Sequence, residues 1–515
     1  MSTHAALLAC VCALLSAAAC DGGEADASSS CEADASSSCE NGVGALRGFY
    51  NAYPFPPNLA HGRDVNLHVT GSLDHLEHFA LRSNWRDPRA KAPLRVLVVP
   101  CAQGNDAVQL ATQLRQAHLS AGAAPKALGE VVCADLSNVS LASSAARFEN
   151  TRERLDEYIS ILEVDLLQLH PRRHGSFDYI LSSGVLHHLP SPEAGIRALR
   201  GVLAPGGVLG VMVHASHGMH AVVEVHTLLQ QAAPPTLDYG SRLAMARALA
   251  RSLLHRLPEA LRANLEFHLE DDHLTADFYL TPYQRAYTVR ELGGLLATAE
   301  LCMVRPEPAW RYDVAHVLAA PNAHRKALEA TGALSGLSAL ANASLADEFW
   351  AQAINHRFLA RPAEGAEIGG LCPPSEPRDP RSSSLGPVWA WWNMGSMLRG
   401  ALREDNATLR AELLLRLVSP GGFGHLTPDN LEGAMEQHPA PIREHIAREL
   451  DALPADAAEF VEAVVGCDSF AELLGREPTE ADVRMYRTLE AFYGLRLTVL
   501  ADSAEACRDF SRIRL

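Results

Sequence analysis

The chain has 515 residues, enough for two or more domains that each bury a core. Its 48% hydrophobic and 20% charged residues are ordinary for a globular protein, and no stretch of the body is long and apolar enough to span a bilayer. A formal net charge of -17 argues against sequence-independent binding to nucleic acid, which needs Lys and Arg to neutralise phosphates. A small molecule or a protein is therefore the expected partner.

The N-terminus contains two segments outside the folded body. Residues 1–20 form a signal-like hydrophobic segment, in which the apolar run 5–19 precedes Cys20 as in a bacterial lipoprotein cleavage site. Positions 1–4 lack the Lys or Arg of an ordinary signal peptide, so export stays open. Residues 21–44 form a low-complexity linker, because the small polar unit EADASSSC occurs twice in succession and cannot make a core.

The cysteines of the body show no CxxC pair and no zinc-ligand spacing. We therefore expect no metal site, a reducing environment and a cytoplasmic location for the folded body. The alternative is a secreted, organellar or lipid-anchored protein, delivered by the N-terminal segment. The six cysteines after residue 39 are Cys101, Cys133, Cys302, Cys372, Cys467 and Cys507.

The segment from Tyr50 to Pro57 is rich in aromatic residues and proline, which predicts extended backbone. We expect it either to pack as a strap or to lie across the mouth of a ligand site. The run Leu94–Val99 then predicts a buried strand, and the turn Pro100–Asn105 leads into a helix that Asp106 can cap. An α/β domain that binds a nucleotide places its glycine-rich loop at this position.

The next two predicted strands each end in an aspartate. Asp135 follows the strand Glu130–Ala134, and Asp165 follows the strand Ile159–Val164. Ligands gather at the carboxyl ends of parallel strands, and an acidic residue after the second strand can accept both hydrogen bonds of a ribose diol. The simpler alternatives are a helix cap for Asp135 and a solvated carboxylate for Asp165.

A strand, a helix and a strand are predicted between Phe177 and His214. The breaker cluster Ala204–Gly207 ends the helix and turns the chain back, so the two strands should lie parallel with a right-handed crossover. This pattern resembles the fourth and fifth strands of class I S-adenosylmethionine-dependent methyltransferases. The resemblance implies an α/β, Rossmann-like doubly wound sheet over residues 45–214, with S-adenosyl-L-methionine as the cofactor.

The loop after the first strand departs from the family pattern (D/E)xGxGxG. Val98 stands in the acidic position, Pro100 and Ala102 stand where glycines are usual, and only Gly104 is retained. Proline fixes φ and alanine adds a methyl group, so we expect a tighter loop than usual.

The resemblance also implies roles for individual residues. Asp135 would hold the ribose, Asp165 would meet the adenine amino group, and His187 or His188 would remove a proton from the methyl acceptor. The alternative is that one of these histidines holds its loop by hydrogen bonding. The full set of expected cofactor-binding positions is Val99, Pro100, Cys101, Ala102, Gly104, Asp135, Leu136, Asp165, Leu166 and Ser183.

The rest of the chain is predicted to be mainly helical. Residues 215–363 read as a helical cap with the remaining methyltransferase elements, and a histidine stripe at His214, His217 and His220 is interpreted as solvated or cap-packing rather than metal-binding. Residues 364–388 read as a linker, and 389–515 resemble a winged-helix-like module whose acidic balance favours protein contact over DNA.

We expect methyl transfer to a small-molecule or protein acceptor by in-line displacement, since the sulfonium is already activated and positioning supplies much of the rate. One alternative is a degenerate relative that binds no cofactor and serves as an interaction module, supported by Pro100 and Ala102. A second is a nicotinamide-dependent oxidoreductase, which needs a GxGxxG turn that this sequence lacks.

Overall fold

A computed structural model describes residues 31–55, 73, 76 and 93–372, the last range with gaps at 152–153, 234–236, 258–261, 263–264, 267, 308–311, 313, 315–335, 352 and 364–367. The predicted signal-like segment and the predicted C-terminal module at 389–515 lie outside the described residues. The chain divides into two compact units at 1–42 and 43–515, and everything below concerns the second.

The centre of the second unit is a seven-stranded sheet with the order β3-β2-β1-β4-β5-β7-β6. Strands β1 to β5 run parallel, and β7 runs antiparallel to its neighbours β5 and β6. The strands are β1 (Leu94–Val98), β2 (Gly129–Asp135), β3 (Ile159–Glu163), β4 (Phe177–Ser183), β5 (Leu203–His214), β6 (Leu301–Glu307) and β7 (Asn355–Pro362).

The helices that connect and flank these strands are numbered in chain order. They are α1 (Cys31–Ala52), α2 (Asn105–Ala121), α3 (Asn138–Glu149), α4 (Pro171–His174), α5 (Pro192–Val202), α6 (Ser216–Ala232), α7 (Tyr239–Leu254), α8 (Asp272–Tyr279), α9 (Val289–Ala297) and α10 (Ala339–Trp350). Helix α1 crosses the boundary between the two units, and only its part from Val43 onward enters the description below.

Apolar residues cover both faces of the sheet, as expected for a doubly wound fold. Successive strand residues point to opposite faces, so Leu97 packs in one core while Val96 and Val98 pack in the other. Helices α5 and α9 cover the first face, and α2 and α3 cover the second. The prediction of a Rossmann-like doubly wound sheet is confirmed.

The strand order reverses between β1 and β4, because β2 and β3 lie on one side of β1 while β5 lies beyond β4. Ligands of open α/β sheets bind outside the carboxyl ends of the strands at such a reversal. Every parallel strand ends at the same edge, and the predicted cofactor positions follow these ends. The edge beside β1 to β4 is therefore where the candidate site must be sought.

Helices α6, α7 and α8 form a separate apolar cluster after β5, at the position predicted for the cap. Its core includes Met219, Leu243 and Phe278. The helix predicted before the breaker cluster is α5, which ends at Val202, and Gly206 takes a positive φ of 74° at the start of β5. Within the described residues, no helix combines the length and the apolar character needed to cross a membrane.

Two sequence-based expectations about this unit are wrong. Tyr50 is not in extended backbone but in the last turn of α1, which continues to Ala52 because Pro54 is the first residue that interrupts it. The cysteines, expected to lie in a reducing environment, are not all free, since the structure contains disulfides Cys101–Cys133 and Cys302–Cys372, each with a Cα–Cα distance of 5.1 Å. The sequence could not show the pairing, because neighbouring strands bring together cysteines 32 and 70 positions apart.

Candidate functional site

The loop from Val99 to Gly104 after β1 is tied closely to β2. The amide of Cys101 donates to the carbonyl of Ala134 at 2.7 Å, and the amide of Ala102 donates to Oδ2 of Asp135 at 2.7 Å. The Cys101–Cys133 disulfide adds a covalent link beside these bonds. The peptide between Val99 and Pro100 is cis.

The backbone of this loop has the left-handed conformation that glycines usually supply. Ala102 has φ 50° and Gly104 has φ 79°. An L-residue in this region costs about 1–2 kcal/mol relative to glycine, so Ala102 carries a modest strain without changing the path of the loop. A Cβ on Gly104 would come within 2.6 Å of the Phe148 ring. The one glycine retained from the family pattern is the one that the packing requires.

Helix α3 fastens the loop from the other side. The hydroxyl of Ser144 donates to the carbonyl of Ala102 at 2.7 Å, and Arg147 donates to the carbonyl of Gln103 at 3.0 Å and to the side chain of Asn105. The expected cap by Asp106 is wrong, because Gly104 occupies the N-cap position of α2 and no side chain caps the helix. The substituted loop is thus rigidly held.

Asp135 lies at the centre of these contacts. Its carboxylate is only 7% exposed, and Oδ1 accepts from the amide of Ser137 at 2.8 Å while Oδ2 accepts from Ala102. Burial raises the pKa of the Asp135 carboxyl, and the hydrogen bonds from Ser137 and Ala102 lower it in part. Each carboxylate oxygen has a second lone pair, so both can still accept from a ligand hydroxyl. The helix cap for Asp135 is not observed, since Ser137 caps α3.

Asp165 occupies the equivalent place after β3. Its Oδ1 accepts from the amide of Leu167 at 2.9 Å and so begins a short 3-10 turn, Leu166–Gln168. Burial raises the pKa of this carboxyl, and the Leu167 amide and Arg47 lower it in part. The carboxyl is largely buried rather than solvated. The amide of Val164 donates to the carbonyl of Asp135 at 2.9 Å, which links the ends of β2 and β3.

The end of β4 brings the remaining predicted positions to the same edge. Ser183 is half-buried, and Gly184 after it has φ 79° and donates from its amide to the carbonyl of Met212 at 3.1 Å. His187 and His188 then lie in a buried 3-10 turn. Nδ1 of His188 is 3.0 Å from the carbonyl of Tyr283, which ties the turn to the segment after α8, as the hydrogen-bonding alternative predicted.

Both histidines are neutral at physiological pH. Burial lowers the pKa of His188 to about 4. The pKa of His187 lies well below its ordinary value, mainly through burial and also through the nearby rings of His214 and His188. A neutral imidazole keeps one nitrogen lone pair, but a conjugate acid with a pKa near 4 makes His188 a weak proton acceptor.

Two residues that were not among the predicted site residues lie beside His188. Oδ1 of Asp277, on α8, is 4.0 Å from Nε2 of His188, and the hydroxyl of Tyr50 donates to the same oxygen at 3.0 Å. Burial raises the pKa of Asp277 to about 7 despite this hydrogen bond, which lowers it. Burial raises the pKa of Tyr50 well above its ordinary value, and Asp277 and Asp135 raise it further. The Tyr50 ring lies edge-on to that of His188, with 6.5 Å between the ring centroids. The available signal was an aspartate between Ala276 and the apolar residues Phe278 to Leu280.

The histidine stripe predicted at 214, 217 and 220 divides into three different environments. His214 is buried and its ring centroid lies 3.8 Å from that of His187. Nε2 of His217 lies 3.9 Å from Oδ2 of Asp347, and His220 is exposed. His214 is better described by its place at the carboxyl end of β5. Asp135 and Asp165 were chosen as candidates because they follow the ends of predicted strands in the same way.

A family model described as a methyltransferase domain matches residues 97–209, from β1 to β5. An uncharacterized protein of Synechococcus sp. is 29% identical over 254 residues, 48% of this chain and 56% of the relative. The chain thus spans about half the length of this curated relative.

Solved structures with a similar arrangement include PKMT2 from Rickettsia typhi, which shares 12% identity over 79% of this chain and 72% of its own, with a TM-score of 0.41. The same protein in complex with AdoHcy gives 13% identity over 79% and 76% of the two chains, with a TM-score of 0.42.

The sheet from β1 to β5 and its ligand edge thus lie largely within the part of the chain that matches a methyltransferase domain. The residues present fit S-adenosyl-L-methionine, the cofactor expected from the sequence. Buried carboxylates lie at the ends of the neighbouring strands β2 and β3, at the edge where such sheets bind ligands. The loop keeps positive φ at Ala102 and Gly104 although it lacks two of the usual glycines and so departs from the family pattern.

Proposed function

We propose that the protein transfers the methyl group of S-adenosyl-L-methionine to a small-molecule or protein acceptor by in-line displacement. The observation that carries this proposal is the held loop beside Asp135 at the strand reversal. The cofactor supplies an activated sulfonium methyl group, so the protein needs chiefly to orient two reactants.

The cofactor would be bound by residues at the ends of four strands. Asp135 would accept hydrogen bonds from the ribose through its remaining lone pairs, with Leu136 beside it. Asp165 and Leu166 would meet the adenine, and Ser183 the methionine part. The loop positions in contact with the cofactor would be Val99, Pro100, Cys101, Ala102 and Gly104.

The acceptor would enter on the side of His187 and His188. We infer that these residues line the acceptor's side as neutral imidazoles and do not remove its proton, because the depressed pKa of His188 makes it a weak general base. Tyr53 stacks on Tyr239 of the cap at 3.7 Å between ring centroids, and the two rings help to close this side from water. The contribution expected of the chain is orientation and exclusion of water.

We also infer that the folded body matures in an oxidising compartment rather than the cytoplasm expected from the sequence. Two disulfides support this, since such bonds form and persist mainly in secreted, lumenal and periplasmic proteins. The signal-like segment at 1–20 is consistent with delivery to such a compartment.

The proposal is tested with full-length protein and cofactor carrying a tritiated methyl group. Fractions of small metabolites and of proteins are offered separately, and both labelled product and S-adenosylhomocysteine are measured. Label in one fraction, absent with the Asp135→Asn variant, is expected and identifies the acceptor class. Cofactor binding without transfer to either fraction contradicts the proposed reaction. No cofactor binding at all would support the non-catalytic alternative.

A further inference from the structure

Three buried imidazoles meet where β4 and β5 end. His187 and His188 come from the turn after β4, and His214 is the last residue of β5. The ring centroid of His187 is 4.1 Å from that of His188 and 3.8 Å from that of His214. One nitrogen from each ring can be chosen so that all three atoms lie within 4.8 Å of one another. Such a group of neutral nitrogen donors has the composition of a metal site.

The hydrogen bonding of His187 is the strongest indication that something is bound here. Both ring nitrogens of His187 are buried, and neither has a hydrogen-bond partner among the described residues. A buried polar group without a partner costs about 1–3 kcal/mol. An ion would satisfy the lone pair of this imidazole directly.

The other two imidazoles are oriented as metal ligands usually are. A ligating histidine generally donates its second N–H to a carbonyl or another acceptor, which fixes the tautomer. Nδ1 of His188 faces the carbonyl of Tyr283 at 3.0 Å, so it carries the proton and Nε2 keeps its lone pair. Nδ1 of His214 lies 3.0 Å from the side-chain amide of Gln284.

The amide of Gln284 can complete this arrangement. Its Nε2 is assigned to His214, while its Oε1 is buried without a partner in the part of the chain described. The oxygen and nitrogen of an amide exchange places by a half-turn about the last side-chain bond. Oε1 would then accept from Nδ1–H of His214, which leaves Nε2 of His214 as a donor to a metal ion.

We propose that His187, His188 and His214 bind one divalent transition-metal ion of the zinc type. Imidazole ligands suit Zn²⁺, Co²⁺, Ni²⁺ and Cu²⁺, whereas Mg²⁺ and Ca²⁺ prefer oxygen ligands. Asp277 is placed to contribute a fourth ligand, since its Oδ1 is 4.0 Å from Nε2 of His188. The spacing of 187, 188 and 214 matches no zinc motif, which is why the sequence predicted no metal.

The site needs only a small contraction to coordinate an ion. Donor nitrogens are about 3.4 Å apart in a tetrahedral site with Zn–N bonds of about 2.0–2.1 Å. No pair of these nitrogens is more than 4.8 Å apart, so the widest separation must shorten by at most roughly 1.4 Å. His187 is free of hydrogen bonds within the described structure and can rotate toward the other two. The alternative is a group of stacked neutral rings that binds no ion.

The test is a titration of chelator-treated full-length protein with Co²⁺, followed by visible absorption. One equivalent should bind with the strong ligand-field bands of tetrahedral nitrogen coordination and without a thiolate charge-transfer band. His187→Ala and His214→Ala should each weaken binding by roughly a hundredfold or more, beyond the 10–100-fold loss typical of a supporting residue. Gln284→Ala, which removes only a supporting contact, should fall within that 10–100-fold range.

The matched control is His220→Ala, because His220 is exposed on α6 and belongs to the same histidine stripe. It should bind Co²⁺ as the wild type does. Failure of folded wild-type protein to bind one equivalent overturns the proposal, whatever the variants do. Equal binding by the wild type and a folded His187→Asn protein also overturns it. The inference does not rest on methyl transfer, since its readout is the metal spectrum alone.

Discussion

The two sides of the ligand edge differ in how completely their buried polar groups are satisfied. On the cofactor side, the substituted loop after β1 is held by Asp135, by α3 and by a disulfide. On the histidine side, where the sequence carries its clearest resemblance to the family, His187 and Gln284 keep buried polar atoms without partners among the described residues. The loop after β1 thus has a weak sequence motif but a well-held backbone. The turn after β4 has a stronger motif but leaves buried donors and acceptors unsatisfied within the structure described.

The difference teaches that motif quality and structural completeness are separate properties. The conformation that the glycines of the loop usually provide can be supplied by contacts from outside the loop. Unpaired groups at the histidine side are expected to find partners in a ligand, because buried polar groups are nearly always paired. The cofactor side is therefore already organised without a ligand, whereas the histidine side is expected to gain its missing partners from one.

The largest effect should come from Asp135→Ala. The substitution leaves the amides of Ala102 and Ser137 without their acceptor, at about 1–3 kcal/mol each. We expect a loss of about 2–6 kcal/mol in the free energy of unfolding and a roughly hundredfold or greater loss of cofactor affinity, measured by urea denaturation and calorimetry.

Asp156→Ala is the control for Asp135→Ala, since it breaks only a surface ion pair with Arg154. Such an exposed pair contributes little to stability, because solvent screens it. Equal losses in the two variants would show that Asp135 does not organise the loop.

Removing the disulfide under the loop by the double change Cys101→Ser and Cys133→Ser should cost about 3–4 kcal/mol, as expected for a closed loop of this length. Cofactor affinity should fall as well, because the loop loses a tie to β2. The other disulfide, Cys302–Cys372, provides the control, since it joins β6 to the segment after β7. Its removal should lower stability without changing affinity. If neither protein lost cofactor affinity, or if both did, the Cys101–Cys133 disulfide would have no specific role in holding the loop.

On the histidine side, Asp277 should make stability depend on pH in chelator-treated protein. Its folded pKa of about 7 lies above the ordinary value, so its stabilising contribution is complete below about pH 4 and is lost as pH rises to about 7. Asp277→Asn cannot titrate. Relative to wild type, it should gain at most roughly 4 kcal/mol between pH 4 and pH 8, measured by denaturant unfolding.

Asp272→Asn is the matched change for Asp277, because Asp272 is an exposed carboxylate on the same helix. The change in relative stability between the two pH values should be larger for Asp277→Asn than for Asp272→Asn, because only Asp277 is buried. If the stability of Asp277→Asn relative to wild type were the same at both pH values, burial would not raise the pKa of the Asp277 carboxyl.

A smaller effect distinguishes packing from backbone conformation in the loop. Gly104→Ala and Gly206→Ala both place an alanine at positive φ, at about 1–2 kcal/mol each. Only the first new methyl meets a side chain, the Phe148 ring at 2.6 Å, whereas that at Gly206 has nothing within 4 Å. Gly104→Ala should therefore be less stable by a further about 1–3 kcal/mol in thermal or urea unfolding. Equal losses would show that α3 does not pack tightly on the loop.

The sequence predicted the parallel strands well, because apolar runs and breakers such as Pro205 and Gly206 are local signals. It also identified Asp135 and Asp165, since each follows a predicted strand. The contact between Tyr50 and Asp277 joins residues 227 positions apart, and no local pattern encodes it. The disulfide partners were missed for the same reason, as the register of neighbouring strands brings them together.

The central claim is that the substituted loop still forms a working cofactor site. Isothermal titration of full-length protein with S-adenosyl-L-methionine tests it most directly. The structure predicts saturable binding of one equivalent, strongly weakened in Asp135→Asn and unchanged in Asp156→Ala. The claim would be contradicted if folded wild-type protein gave no binding heat with S-adenosyl-L-methionine and S-adenosylhomocysteine did not compete for the site.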